Sequence, residues 1–154
     1  MQVTVDNGLR QLPEERRPRF GEQDPPAARF FAVLGALRKT GLDWRLQTTS
    51  EKIHAEVVAA STGARNNAMA QAIFERGPGS YAEDFTARSA MVDQPVLVVA
   101  GDADLTVGSQ HTRFAYPRKT EVVLRGGHLA FYESREAFAL AVARFARASA
   151  VPER

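Results

Sequence analysis

The apolar positions of this chain change period near its middle. Val3 and Val5 alternate with polar neighbours over Met1 to Arg10 and run into "DNG", which predicts a strand entering a tight turn. Leu12 to Pro26 carries Pro13, Pro18, Pro25 and Pro26 among charged residues and reads as an irregular connector. From Ala27 to Arg38, Phe30, Val33, Leu34 and Leu37 recur at helical spacing, and Gly41 ends that helix. Ser50 is placed to cap a second helix with Ile53, Val57 and Ala60 on one face. Asn66 to Arg76, with Met69, Ile73 and Phe74, predicts a third, stopped by "GPGS".

The second half begins at Pro95. "PVLVVAG" is an unbroken apolar run ended by glycine, as expected of a strand buried on both faces of a parallel sheet. "TEVVLRGG" is a weaker second strand. Leu105 to Lys119 leaves room for the helical crossover that parallel strands require. Glu133 to Ala148, with Phe138, Val142 and Phe145, predicts a closing amphipathic helix. The expected class is therefore α/β: a segment and connector over 1–26, a helical region over 27–90, and a strand-helix-strand-helix unit of a parallel sheet over 91–150. A buried large apolar side chain contributes only about 1.5–3 kcal/mol, so two strands and their helices are too little for a full doubly wound sheet. Something else must cover or extend it.

Composition narrows the function classes. The length of 154 residues and a charged fraction of 25% fit one ordinary domain, without the bias of a disordered or fibrous chain. The net charge is +2 and the basic residues are scattered among acids, which argues against nucleic acid or a membrane surface as partner. No cysteine is present, excluding disulfides and thiolate metal sites. The first residues lack a leader pattern and no apolar run reaches the ~20 residues that span a bilayer, so a cytoplasmic protein is expected.

Chemistry concentrates at the two strand ends. Ligands and catalytic groups of open α/β sheets lie beyond the carboxyl ends of the strands. Asp104 follows the first strand in "AGDAD" and His128 follows the second in "RGGHLAFYE". If the strands are adjacent and parallel, both side chains leave the same edge. The carboxylate would then fix the imidazole tautomer while the other ring nitrogen acts as general base. Gly126 and Gly127 would allow a sharp turn and keep bulk from the ring. Taken singly, a histidine at a strand end is an ordinary turn residue and an aspartate there an ordinary helix cap; their order and placement together make the case. His54 and His111 have no such context and read as exposed helical residues. No HxxxH or HExxH spacing occurs, so a metal site is not expected.

These motifs resemble the C-terminal part of an α/β-hydrolase, in the branch of haloperoxidase-type esterases, proline iminopeptidase-like and epoxide hydrolase-like enzymes. That pattern has an apolar strand, then GxxD with the triad acid, then GH, a short apolar stretch and E before the last helix. Gly101 and Asp104 match the first signature; Gly127, His128 and Glu133 match the second. Asp102 is an alternative acid in a poorer register. The segment from "RPRF" through "QAIF" resembles the family's helical cap, and "MQVTVDNGLR" its first strand. The resemblance implies a partial α/β-hydrolase fold, an ester or amide substrate, no cofactor, and a pocket between the helical half and the strand ends. Phe30, Phe31 and Trp44 would line that pocket or pack in the core.

The family's nucleophile is a serine in GxSxG on a strained strand-to-helix turn. No GxSxG occurs. Ser80 in "GPGSY" follows no strand. Ser61 in "AASTG" fits AxSxG if "AEVVAASTGARNNAMAQAIF" is strand, elbow and helix, but the cap resemblance puts the same residues on a helix. Three readings follow. The chain retains the acid and histidine of a serine-hydrolase triad and meets its nucleophile on a second chain or in a longer parent. It is a non-catalytic remnant or association module that uses its sheet edge to bind a homodimer partner or another chain. Or it is a minimal hydrolase with Ser61 as nucleophile. Loss of a triad nucleophile costs about 10⁶ in kcat.

Overall fold

A computed structural model describes residues 2–61 and 85–150. The helix expected over Asn66 to Arg76 and the loop serine Ser80 lie outside the described residues. What is described is mixed α/β: a helical half followed by a two-stranded parallel sheet with its flanking helices.

The first ten residues correct the expected strand, because Gln2–Gln11 is a helix, α1. Two alternating valines satisfied a period of two, but Val5, Leu9 and Leu12 also recur at i, i+4 and i+7, and the helical face is the one that finds a partner. Gly8 is no turn residue. It lies inside α1, where a Cβ would stand 2.5 Å from Val33 Cγ1, so its lack of a side chain lets α1 approach α2. Helix α2 spans Pro26–Lys39, close to the expected bounds. Pro26 occupies its first turn, where a missing N–H costs nothing, and Gly41 follows the end at φ 67°. Val5, Leu12, Val33, Leu37 and Leu46 form the buried core of this half, with Leu105 packed against it from the second half.

Leu46 arrives on a one-turn helix, α3 (Trp44–Gln47), too short to leave a periodic signal. Helix α4 spans Glu51–Ser61, and the Ile53 N–H reaches the Ser50 hydroxyl at 3.5 Å, the expected cap.

Strands β1 (Val96–Gly101) and β2 (Lys119–Leu124) pair in parallel with Val96 opposite Lys119 and Gly101 opposite Leu124. The burial expected on both faces of β1 is not reached: Ala100 alone is fully buried and the rest of the strand is half-buried. Two strands present too narrow a layer, and among the described residues neither outer edge has a partner. The crossover is likewise not an α-helix but 3₁₀ turns over Gly108–Arg113; Gly108 at φ 56° and Pro117 leave no stretch for a longer one.

The closing helix is split in two. Helix α5 spans Ala130–Glu133 and α6 spans Arg135–Ser149, with Ser134 between them donating its hydroxyl to Arg125 O at 2.6 Å. Phe138 and Phe145 are half-buried, whereas Leu140 and Val142 stay exposed, so no residue of α6 is fully buried.

Candidate active site

The acid loop begins where β1 ends. Parallel pairing continues past the strands, as Asp102 N–H donates to Leu124 O and Ala103 N–H to Gly126 O, both at 2.9 Å. The two exits approach so closely that a Cβ on Gly101 would collide with the carbonyl oxygens of Gly126 and Gly127. The glycine of GxxD is therefore a packing requirement between the two loops. Asp104 is 9% exposed, and its Oδ1 accepts the N–H groups of Thr106 (2.7 Å) and Val107 (3.0 Å). Helix α1 holds this loop from outside. Thr4 Oγ1 donates to Thr106 O at 2.6 Å, and Asn7 Nδ2 to Leu105 O at 3.0 Å.

The histidine loop is fixed from two sides. Asp102, the alternative acid, accepts Gly126 N–H at 2.9 Å, tying one strand exit to the other. Gly126 takes φ 143°, where side chains are strained, and a Cβ there would stand 2.7 Å from Glu133 Oε2. A Cβ on Gly127 would stand 2.8 Å from Gln47 O and 2.9 Å from Thr48 Cα. The expectation that these glycines clear space around the ring is corrected: they make room for Glu133 and for the backbone of residues 47–48.

Asp104 and His128 meet as expected. Asp104 Oδ2 lies 2.9 Å from His128 Nδ1. Burial by itself would raise the Asp104 carboxyl, but the bond from His128, the N–H groups of Val107 and Thr106 and the imidazolium charge outweigh it and hold it below its ordinary value. The same hydrogen bond raises His128 above the usual imidazole value, burial opposes this in part, and the charge of Asp104 adds to it. An ionised carboxylate only accepts, so Nδ1 carries the proton of the neutral ring and Nε2 is left with a free lone pair. The Asp104 side chain is 5% exposed and that of His128 40%, so the acid is sheltered while the base faces outward.

A cavity of about 190 Å³ adjoins the pair, lined by Val99, Val107, His111, Phe131 and Phe138 as well as Asp104 and His128. His111, expected to be an exposed helical residue, is half-buried there, with its Nε2 3.4 Å from Glu121 Oε1. Lys119 hydrogen-bonds Glu121 at 2.9 Å, and this bond foremost holds the Glu121 carboxyl below its ordinary value. His54, also expected to be exposed, is half-buried on α4. Phe30, Phe31 and Trp44 do not line this cavity. Phe30 packs against the helical core with its ring edge-on to Phe31 at 5.4 Å, and Trp44 lies under the Arg45 guanidinium at 5.3 Å. A larger open groove of about 500 Å³ between α4 and α5–α6 holds neither Asp104 nor His128.

The strand that a Ser61 elbow needs is not there, since Ala55–Ala60 belongs to α4 and Ser61 is its last residue. Three other serine hydroxyls serve the backbone: Ser50 at α4, Ser89 between Thr86 O and Ala115 N–H, and Ser134 at Arg125 O. Among the described residues no group of three or more His, Asp or Glu side chains is placed to hold a metal ion, and no helix is long and apolar enough to cross a membrane.

Sequence reasoning found Asp104, His128 and the glycines, but missed the anchors Thr4, Asn7, Thr49 and Thr106. Each is a polar residue whose partner is a backbone group or carboxylate distant in sequence, a relationship without periodicity or spacing. Scans against protein-family models and searches of curated proteins and of solved structures find no match to this chain.

Proposed function

We propose that the chain carries the acid and base of a serine-hydrolase-type triad, in a partial α/β-hydrolase fold with residues 27–90 as its helical cap. His128 Nε2 takes the proton of an attacking hydroxyl as that oxygen bonds to an ester or amide carbonyl, then returns it to the departing alcohol or amine. Asp104 holds the tautomer and stabilises the imidazolium formed in between. No cofactor enters this chemistry. The hydroxyl comes from a second chain completing the sheet or from a longer parent, which also supplies the oxyanion donors.

The observation that carries this reading is the 2.9 Å contact between a sheltered Asp104 and an outward-facing His128 at the ends of adjacent parallel strands. A serine-directed fluorophosphonate probe tests it on wild type, Ser61→Ala and His128→Ala. Labelling that requires His128 and appears only after a second polypeptide is added supports it. Labelling of the chain alone that needs both Ser61 and His128 points instead to a minimal enzyme.

A second reading, an association module without catalysis, draws on different features. Both sheet edges are unpaired among the described residues, and Phe131, Leu140, Val142 and Val123 are exposed. Oligomerisation with no labelling under any condition favours it.

A further inference from the structure

Strand pairing and its backbone continuation register the two loops as far as Ala103 and Gly126. Beyond that point a short stretch of the helical half, Leu46 to Thr49, reaches both. Leu46 O accepts the Thr106 hydroxyl at 2.5 Å, and Gln47 O accepts Leu129 N–H at 2.8 Å. Thr49 donates its N–H at 2.7 Å and its hydroxyl at 2.5 Å to Glu133 Oε1, while Glu133 Oε2 accepts Gly127 N–H at 2.5 Å. Thr106 N–H in turn donates to Asp104 Oδ1. These bonds form a ring that runs from Asp104 through Thr106, Leu46 to Thr49, Glu133 and Gly127 to His128, and closes at the 2.9 Å contact with Asp104.

We propose that Glu133 is a positioning residue for the Asp104–His128 pair, acting with Thr49 to hold the histidine loop against residues 46–49 at the register that Asp104 requires. Its catalytic meaning rests on the reading of His128 as a general base; its geometric content does not. Glu133 bonds the N–H next to His128 and leaves the ring itself to Asp104. A carboxylate suits this task because its two oxygens bridge two segments at once, and N–H bonds to an ionised acceptor are about twice as strong as neutral ones. The contact is direct, since Gly127 sits against the Gln47 and Thr48 backbone with no space for a side chain.

The imidazole ¹H–¹⁵N spectrum of His128 tests this without any turnover. It is recorded for wild type, Asp104→Asn, Glu133→Gln, Glu133→Ala, Thr49→Val and, as a destabilised control, Leu37→Ala. Wild type should show the Nδ1–H tautomer with a low-field Nδ1 proton that Asp104→Asn loses. Glu133→Ala should lose it as well, and Glu133→Gln and Thr49→Val should weaken it, with the ring drifting toward the mixed tautomers of a free imidazole. Leu37→Ala should keep it in the folded fraction. Thr49→Val changes no charge, so its effect cannot come from removing a carboxylate near His128. Thr49 is also exposed, so its replacement keeps the test decisive if Glu133→Ala does not fold. Wild-type spectra in both Glu133→Gln and Thr49→Val overturn the role of Glu133 alone. Identical spectra for wild type and Asp104→Asn overturn the dyad, and this proposal with it.

Discussion

Asp104 Oδ2 and His128 Nδ1 stand 2.9 Å apart across 24 residues of chain, because parallel pairing continues past the strands and brings Ala103 to Gly126. An amide at position 104 would present an N–H₂ or a weaker acceptor to Nδ1 and release the tautomer. Asp104→Asn should therefore lower the rate at which His128 promotes hydrolysis of an activated ester such as p-nitrophenyl acetate by about 100-fold, the lower end of what a positioned general base contributes. The assay is run with the nucleophile-bearing second polypeptide present and against His128→Gln as baseline; a wild-type rate above that baseline and equal to that of Asp104→Asn would contradict the role of the acid.

The same pair makes stability depend on pH in a defined window. His128 is raised in the folded state, so its contribution is full below the unfolded imidazole value and is lost as pH rises through the higher folded value. Asp104 is lowered, so its contribution is full above the unfolded carboxyl value and is lost as pH falls through the lower folded value. The pair should stabilise most between roughly pH 4 and pH 6.5. Urea denaturation of wild type and Asp104→Asn across pH 3 to 9 should show the largest gap there, narrowing on both sides.

Gly8→Ala separates a helix at residues 2–11 from the strand that the valine alternation suggests. Alanine normally stabilises a helix interior by about 1 kcal/mol relative to glycine. Here its Cβ would stand 2.5 Å from Val33 Cγ1, and overpacking of this kind costs about 1–3 kcal/mol. Net destabilisation by chemical denaturation is expected, and Leu37→Ala, at a fully buried position of the same core, should cost about 2–5 kcal/mol.

Gly101→Ala and Gly127→Ala should each disrupt the site. In both, the added methyl meets backbone rather than a side chain that can swing aside. Loss of the low-field His128 proton, with far-ultraviolet circular dichroism little changed, is the expected result; retention of that proton in both would show that the loops can separate without cost to the dyad.

The contrast among these positions explains what the sequence revealed. Residues 96–101 and 119–124 were legible as strands, and 26–39 and 51–61 as helices, because a period or an apolar run repeats over several residues. Asp104 and His128 were legible because both immediately follow such runs. Residues 2–11 misled, since Val3 and Val5 fit two periods and only packing against Val33 and Leu37 decides between them. The one-turn helix at 44–47 and the bonds from Thr49 to Glu133 and from Thr106 to Leu46 depend on partners that no local pattern encodes.

The grip of α1 on the acid loop has a consequence for the order of folding. Thr4 and Asn7 bond Thr106 and Leu105 across 102 and 98 residues, whereas the contacts between α1 and α2 close far shorter loops. The contacts between α1 and α2 can form while the chain is still being synthesised, but the Asp104 loop gains its outer support only after most of the sequence has emerged. The dyad therefore rests on contacts between the first and the later residues, and a chain interrupted before Leu105 would keep α1 packed on α2 with no acid loop for Thr4 and Asn7 to hold.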